Sequence, residues 1–469
     1  MTIEWKELVE QRKESIIADT QALLRKKSIL DPDTSGVGQP FGKGIADTYN
    51  WLLTKSQNDG FKTKDIEGYA GHIEYGEGKE IIGILCHIDV VPEGEGWSVD
   101  PYGAHIVDGK IIARGAIDDK GPTMAAYHAL KLVKELNIPL SKRVRLIIGT
   151  DEESEWRCVD RYFKEEEMPQ MGFAPDADFP IIYSEKGICD LFYKRALQDD
   201  EPTGEHELIT FKSGHRLNMV PESAVALIQS DAAKTLKEQF DSFVKEERVS
   251  GKATMISDKQ VELFVQGKSV HGMEPDKGIN GGLELARFLM NASFNESGGD
   301  FLSLLGERFA RDSRGEKLGV VHRDNQLGDL TMNLGVLHYE KEKEATIGIN
   351  LRYPKGADFE GVKKILDQEL NEKDFIGTVK THETPHMVEE SSELVKALAQ
   401  VYRDQTGEEA DLLAIGGGTY ARSLNEGVAF GPLFPKREDL AHQADEAIHI
   451  EDLLKATSIY AQAIYELAK

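Results

Sequence analysis

Cysteine and long apolar runs are both scarce in this sequence of 469 residues. The three cysteines, Cys86, Cys158 and Cys189, are odd in number and lack paired spacing, which argues against a disulfide framework or a thiolate zinc site. No apolar run approaches the roughly 20 residues that a membrane span requires. We therefore predict a cytoplasmic protein that does not interact with a membrane.

Positive charge is also in short supply, because 56 Lys and Arg residues face 82 Asp and Glu residues, for a net charge of −26. Binding to nucleic acid requires clustered Lys and Arg that displace counterions, so nucleic acid is not an expected partner. Between Trp5 and Leu24, apolar residues recur on one helical stripe among charges, which predicts a surface helix rather than a signal peptide.

The length exceeds what one hydrophobic core usually supports, so two domains are expected. Residues 1–187 alternate apolar runs with helical patterns, which is typical of an α/β domain with a parallel sheet. In residues 188–383, strand patterns surround two helices, Ala232–Glu247 and Gly281–Phe294, which predicts an inserted α+β domain. Residues 384–469 return to helix, turn and helix, and are predicted to complete the first domain.

A buried strand is predicted from Ile81 to Val91 (IIGILCHIDVV), and it carries His87 and Asp89. Side chains two residues apart lie on the same face of a strand. Because α/β proteins place ligands at the carboxyl ends of parallel strands, His87 could bind a metal that Asp89 helps to orient. The alternative is a core histidine beside a solvated aspartate.

Two adjacent carboxylates, Asp118 and Asp119 in RGAIDDKGP, precede a helix predicted from Thr123 to Leu136. Acidic residues at a helix start commonly cap the helix and complement its dipole, so this pair alone favours a structural role.

Three more carboxylates, Asp151–Glu153, follow a strand predicted from Val144 to Gly149. They repel one another unless cations or protons relieve the repulsion, although a solvated acidic loop is the simpler alternative. Asp176 in FAPDADFP and His442 in LAHQADE are unremarkable singly. Taken with the preceding groups, they complete a set of oxygen and nitrogen ligands that zinc or manganese accepts.

Six motifs resemble, in order, those of the aminoacylase and carnosinase family of two-metal peptidases: HIDVVP, RGAIDDKGP, the Glu152-Glu153 pair, SVHGMEP, GGGTYAR and AHQADE. The resemblance extends over the whole chain and is strongest to the bacterial dipeptidase V branch, the Xaa-His dipeptidase type. It implies an α/β zinc-peptidase-like catalytic domain, built from residues 1–187 and 384–469, and an α+β lid domain at 188–383. It also implies a monomer that hydrolyses dipeptides with a free amino terminus.

The resemblance assigns a ligand set for two divalent ions. Asp118 would bridge both ions, with His87 and Asp176 completing one site and Glu153 and His442 the other. These donors suit zinc or manganese, and cobalt is possible.

The same resemblance makes Glu152 the general base and gives Asp89 the task of steadying His87. It also implies a cis peptide bond between Asp118 and Asp119. Asp445 departs from the family pattern, because relatives often have Asn at this position. Glu274 lies close to His271, which the resemblance places in the lid domain, and adds a charge there.

For the inserted domain, the resemblance implies that His271 stabilises the oxyanion and that Asn218 and Arg352 hold the substrate. Without it, a turn histidine, a turn asparagine and a strand-edge arginine would be the simpler interpretations. Backbone N–H groups of a glycine-rich loop are expected to face the substrate carboxylate; the loop consists of Gly416, Gly417, Gly418 and Thr419.

Other functions are weighed against this one. His382 to His386 match the HExxH motif of one-metal proteases, but Pro385 would break the helix that this chemistry requires. An N-acyl amino acid deacylase of the same family is the alternative activity, and the length of the inserted region favours the dipeptidase. A noncatalytic peptide binder could dispense with Glu152 and His271, whereas both are present.

Overall fold

The computed structural model describes residues 3–198, 203–247 and 249–469. All three cysteines are buried free thiols. Within the described residues, no helix has both the length and the apolar character needed to cross a membrane.

The amino-terminal part of the chain alternates helices and strands. Its elements are α1 (Trp5–Glu10), α2 (Lys13–Leu24), α3 (Lys43–Asn58), β1 (Lys62–Ile66), β2 (Ala70–Tyr75), β3 (Ile81–His87), β4 (His105–Val107), β5 (Lys110–Ile112), α4 (Lys120–Glu135), β6 (Arg143–Gly149), α5 (Arg157–Glu165), β7 (Met171–Ala174), β8 (Ala177–Asp178) and β9 (Ile181–Glu185).

Longer strands dominate the middle of the chain. Its elements are β10 (Gly187–Ala196), β11 (His206–Ser213), β12 (Ser223–Ser230), α6 (Ala233–Glu246), β13 (Ser250–Ser257), β14 (Gln260–Gln266), α7 (Gly281–Leu289), α8 (Glu296–Ser303), a π-helical segment (Leu304–Phe309), β15 (Thr331–Glu340), β16 (Glu344–Tyr353), α9 (Phe359–Asn371) and β17 (Ile376–Glu383).

Short strands and two long helices end the chain. They are β18 (His386–Met387), α10 (Glu393–Thr406), β19 (Leu412–Ile415), β20 (Gly427–Ala429), β21 (Pro432–Leu433), β22 (Ala447–His449) and α11 (Ile450–Ala468). Three short 3-10 turns are also present, at Pro32–Thr34, Pro275–Lys277 and Tyr420–Ser423.

The first compact unit comprises the chain up to Ser184, Met387–Ala414 and Thr419–Lys469. Its main sheet has the strand order β1-β2-β6-β3-β7-β20-β9-β18, with β19 beside β9. The central strands β6, β3, β7 and β20 run parallel, whereas β1, β2 and β9 pair antiparallel. The sheet is therefore mixed, and the predicted parallel arrangement holds only at its centre, where every residue of β3 is buried.

The second unit comprises Glu185–His386 and Ile415–Gly418. Its eight-stranded sheet is antiparallel, in the order β13-β14-β12-β11-β15-β16-β10-β17. Buried and less buried residues alternate along β10, β12 and β14, as expected for a sheet that packs one face on a core. Helices α6 and α7 pack on this sheet.

Several element bounds differ from those predicted. The helix predicted from Thr123 begins at Lys120, directly after Asp119, and the helix predicted to reach Phe294 ends at Leu289. The single amino-terminal helix is two helices, α1 and α2. The HExxH segment is extended rather than helical, because β17 runs to Glu383 and β18 begins at His386.

Candidate functional site

Three parallel strands of the first unit end at the same edge of the sheet. His87 is the last residue of β3 and pairs in register with Gly149, the last residue of β6. Glu152 and Glu153 follow β6, and Asp176 comes two residues after β7. Because parallel strands bring their carboxyl ends together, this edge collects imidazole and carboxylate groups from distant parts of the sequence.

The first ligand cluster consists of His87, Asp118 and Asp176, whose ligand atoms all lie within 4.8 Å of one another. His87 Nε2 is 3.0 Å from Asp118 Oδ1 and 3.7 Å from Asp176 Oδ1. Asp118 reaches this position from the loop before α4, where the Asp118-Asp119 peptide bond is cis, as the resemblance implied.

The second ligand cluster consists of Asp118, Glu153 and His442, again with all ligand atoms within 4.8 Å. His442 Nε2 lies 3.0 Å from Asp118 Oδ2 and 3.1 Å from Glu153 Oε1. Asp118 thus offers one carboxylate oxygen to each cluster, which is the arrangement that a carboxylate bridging two ions requires.

The chemistry of His87 tests whether these residues fit a metal. Its Nε2 atom is buried and forms no hydrogen bond within the described part of the chain. Its Nδ1 atom lies 3.0 Å from the backbone carbonyl of Asp89, a contact that favours a proton on Nδ1, so the nitrogen that would release its proton to a metal is Nε2. Nε2 faces carboxylate oxygens of Asp118 and Asp176, and nitrogen and oxygen donors of this kind fit zinc or manganese.

The pKa values differ sharply among the four site carboxylates, which are Asp118, Glu152, Glu153 and Asp176. Burial opposes ionisation of Asp118, but contacts with His442 and His87 outweigh it and lower its pKa. Burial and the nearby charge of Asp118 raise the pKa of Glu153 to about 7. Burial and Asp118 also raise the pKa of Asp176.

Burial alone lowers the pKa of a histidine, whereas the pKa values of His442 and His87 are raised. Hydrogen bonds to Asp118 and Glu153 raise the pKa of His442 to about 11. Burial opposes protonation of His87, but the charge of Asp176 and the close contact with Asp118 outweigh it and raise its pKa. Without metal, the site therefore holds protons where ligand lone pairs are needed.

Glu152 belongs to neither ligand cluster. Burial, together with repulsion from Asp176 and Glu153, raises its pKa well above the usual range for a glutamic acid. A carboxyl group that lies beside the candidate ligands, belongs to neither cluster and has a raised pKa is suited to accepting and returning a proton.

Three further acidic residues, Asp89, Asp119 and Asp151, lie close in sequence to these groups and have structural contacts. Asp151 accepts hydrogen bonds from Arg157 Nε and Nη2, both at 2.8 Å, so it leaves the predicted acidic cluster. Asp119 accepts one from the backbone N–H of His87 at 3.0 Å. The Asp89 carboxylate accepts one from the N–H of Glu153 at 3.0 Å and lies 3.6 Å from His87 Nδ1, so Asp89 contacts both strand-end loops.

Sequence reasoning missed one buried acid at the site, Glu446. Its carboxylate accepts hydrogen bonds from the backbone N–H groups of Gly115, Ile117 and Asp118 and from the Arg114 side chain. The signal available in the sequence was its position four residues after His442. Asp445, the departure from the family pattern, accepts hydrogen bonds from Ser98 at 2.8 and 2.9 Å.

The residues predicted to bind substrate from the lid lie in the second unit, where they are linked through short contacts. The N–H of Gly272, next to His271, donates to the carbonyl of Asn218 at 2.6 Å. Arg352 Nη1 donates to the carbonyl of Gly416 at 2.8 Å. Partial burial and the positive charge of Arg352 lower the pKa of His271, which favours its neutral form.

The glycine-rich loop divides between the two units. Gly416, Gly417 and Gly418 group with the second unit, whereas Thr419 belongs to the first. Thr419 is buried, and its hydroxyl accepts from the N–H of Ala421 at the start of a 3-10 turn. The carbonyl of Gly416 accepts the hydrogen bond from Arg352, so this loop contacts another residue that the resemblance assigns to the substrate.

Comparison with known proteins connects this geometry to a family. Residues 83–466 match the model of peptidase family M20/M25/M40. YtjP of Bacillus subtilis, whose provisional name is that of a dipeptidase, is 50% identical over 466 residues, which cover 99% of this chain and 100% of YtjP. A Staphylococcus epidermidis protein with the same provisional name is 44% identical over 469 residues, which cover 99% of each chain.

Among solved structures, human carnosine dipeptidase 1 has the same fold with a TM-score of 0.58 and 16% sequence identity. The match covers 99% of this chain and 98% of the human chain. These comparisons confirm the predicted α/β class, with a catalytic domain and an inserted α+β domain.

Proposed function

The chain belongs to peptidase family M20/M25/M40, and from this membership and the site geometry we propose that it is a two-metal dipeptidase. The substrates are dipeptides with a free amino terminus, and the reaction is hydrolysis of their single peptide bond. The observation that carries the proposal is the pair of ligand clusters that share Asp118. The dipeptidase names of relatives that match over 99% of the chain support the choice of substrate.

Two divalent ions would be held by the two ligand clusters, zinc or manganese by preference, with cobalt also compatible. When bound, such ions lower the pKa of a shared water and polarise a scissile carbonyl. Asp118 bridges the two sites in this assignment. His87 and Asp176 complete one site, and Glu153 and His442 complete the other.

Glu152 acts as the general base and then the general acid. It accepts a proton as water attacks the peptide carbonyl and delivers that proton to the departing amine. Its raised pKa supports this role, because burial and the neighbouring carboxylates make Glu152 a stronger proton acceptor than an ordinary glutamate. Asp89 orients His87 through its backbone carbonyl, and its carboxylate accepts from the N–H of Glu153.

The second unit supplies the groups that bind and polarise substrate. His271, in its neutral form, donates a hydrogen bond to the developing oxyanion. Arg352 suits the terminal carboxylate, because a guanidinium offers paired donors to two oxygens. The remaining substrate contacts come from Asn218 and from the loop residues Gly417, Gly418 and Thr419.

The protein is further proposed to act as a cytoplasmic monomer, without a nucleic-acid or membrane partner. The three buried free thiols support a reducing compartment. The net charge of −26 opposes association with nucleic acid.

One assay tests the activity. Metal-stripped protein is reconstituted separately with zinc, manganese and cobalt and offered dipeptides, tripeptides and N-acetyl or N-succinyl amino acids. We expect metal-dependent hydrolysis with the highest kcat/KM on dipeptides. Faster cleavage of the N-acyl substrates would identify a deacylase instead, and binding of dipeptides without turnover under every metal would identify a noncatalytic binder.

A further inference from the structure

Glu446 joins the two loops that carry Asp118 and His442. It is fully buried, and both of its carboxylate oxygens are occupied. Oε1 accepts from the N–H groups of Ile117 at 2.9 Å and Asp118 at 3.2 Å. Oε2 accepts from the N–H of Gly115 at 3.1 Å and from Arg114 Nη1 at 2.6 Å.

The position of Glu446 follows from a small antiparallel ladder. Strand β22 pairs with β5, with Ala447 opposite Ile112, and the carbonyl of Glu446 accepts from the N–H of Ala113 at 3.0 Å. Beyond that bond the chain turns toward α4, so the next N–H groups of the loop have no strand partner. The Glu446 side chain takes the place of the missing strand for Gly115, Ile117 and Asp118.

Arg114 fixes the other end of this arrangement. It is also fully buried, and its Nη2 donates to the carbonyls of Pro92 at 3.4 Å and Glu93 at 3.2 Å. Its guanidinium stacks 5.2 Å from the centre of the Trp97 ring. The carboxylate of Glu446 therefore cannot move without leaving buried donors, from Arg114 and from three backbone groups, unpaired.

We propose that Glu446 is a positioning residue for the dinuclear centre: by holding the backbone at Asp118, it sets the bridging carboxylate against His442, whose Nε2 lies 3.0 Å from Asp118 Oδ2. This role rests on the proposed function, since it assumes that Asp118 and His442 bind metal. Groups that orient metal ligands typically change metal affinity by about 10-fold to 100-fold when they are replaced.

The test is a calorimetric titration of the metal-stripped, full-length protein with Mn²⁺, comparing wild type with Glu446→Gln and Glu446→Asp. Gln keeps one acceptor oxygen but turns an NH₂ group toward N–H donors. Asp keeps the charge but shortens the reach by one methylene. We expect both variants to bind Mn²⁺ at least about 10-fold more weakly, with dipeptide turnover recovering as Mn²⁺ is raised.

Glu74→Gln provides the matched control. Glu74 is also in the first unit and accepts from Arg145 at 2.6 Å, the same distance as for Arg114 and Glu446, but within the described residues its ion pairs are with Arg143 and Arg145 alone. This control should lose stability while binding Mn²⁺ as wild type does, which separates positioning from general destabilisation.

Three outcomes overturn the proposal. Glu446 variants that bind Mn²⁺ as tightly as wild type would show that Asp118 needs no such support. An equal loss of affinity in Glu74→Gln would show that any buried ion pair has the same effect. If wild-type protein bound no Mn²⁺, Zn²⁺ or Co²⁺, the proposed dinuclear centre itself would be wrong. This result differs from the first two, in which wild-type protein binds metal and only the role of Glu446 fails. Should Glu446→Gln fail to fold, Glu446→Asp carries the same comparison.

Discussion

In the second unit, the buried carboxylate of Glu284 lies between two guanidinium groups, with Arg287 Nη2 and Arg311 Nε each 2.9 Å from its oxygens. In the first unit, the four site carboxylates face one another and two histidines. Among the residues that the structure describes, none of those four forms an ion pair with Lys or Arg.

The pKa values follow this difference. Burial opposes ionisation of Glu284, but hydrogen bonds from Arg311 and Arg287 outweigh it and lower its pKa. Burial raises the pKa of Glu152, Glu153 and Asp176, and the remaining contacts do not offset it. Only Asp118 is kept ionised, by the two histidines, and cations from solution would favour ionisation of the other three, so the contrast separates a structural charge pair from a metal-binding site.

The largest expected effect is the loss of turnover in Glu152→Ala. We expect kcat to fall by about 100-fold to 10,000-fold, because a general base contributes that much. Metal content, measured by elemental analysis, should remain that of wild type, because Glu152 belongs to neither ligand cluster. Glu155→Ala is the control, since Glu155 is an exposed acid in the same loop. Near-normal turnover in Glu152→Ala would contradict the role of Glu152.

Removal of the shared ligand should have the next largest effect. Asp118→Ala is expected to weaken binding of both ions by more than about 100-fold, exceeding the effect of changing an outer contact. Asp176→Ala should lose mainly one equivalent, because Asp176 belongs to a single cluster. Metal stoichiometry after dialysis distinguishes the two variants. Equal stoichiometry in both would show that Asp118 does not bridge.

The family and most of the site could be predicted from the sequence for a physical reason. His87 ends β3 and Asp176 follows β7, and the carboxyl ends of parallel strands meet at one edge of a sheet whatever lies between them in the chain. The family was identified correctly from six motifs, which occur in the same order along the chain as in the family. Pro385 likewise ruled out the HExxH helix, and that segment is extended.

Other features depend on pairing that the sequence does not reveal. Asp151 and Glu152 are adjacent acids, yet only the contacts of Arg157 show that Asp151 turns away from the site. Glu446 reaches the loop that carries Asp118 because β22 pairs with β5, more than 300 residues earlier in the chain. Gly416–Gly418 lie far beyond the predicted lid domain but group with the second unit, a consequence of contacts such as that with Arg352.

Metal affinity should depend on pH. The raised pKa values of His442 and Glu153 determine the direction of this dependence. In the metal-free protein, the pKa of His442 is about 11 and that of Glu153 is about 7, so both hold protons that a metal ion must displace. Affinity for Mn²⁺ should therefore rise with pH, by up to about 10-fold per pH unit for each proton released. Titrations from about pH 6.5 to about pH 8.5 measure this slope. A flat profile would contradict the protonated state of the ligands.

The smallest expected effects are on the free energy of unfolding. They compare Glu152 in the first unit with Glu284 in the second. In metal-free protein, the pKa of Glu152 is raised above its unfolded value near 4.5, so this group costs stability as pH rises above that value. Glu152→Gln should therefore stabilise the metal-free protein by about 1 kcal/mol at neutral pH. Glu284, whose pKa is lowered, contributes stability above its unfolded pKa, and Glu284→Gln should cost about 1 to 3 kcal/mol.

Urea denaturation of the metal-free variants at about pH 8 and about pH 4 measures both changes. The two substitutions should shift the midpoint in opposite directions at the higher pH and differ much less at the lower pH, where the unfolded carboxyls are largely protonated. Shifts of the same sign at the higher pH would mean that the site carboxylates are already compensated without metal. In that case the contrast between Glu152 and Glu284 would no longer point to a cation.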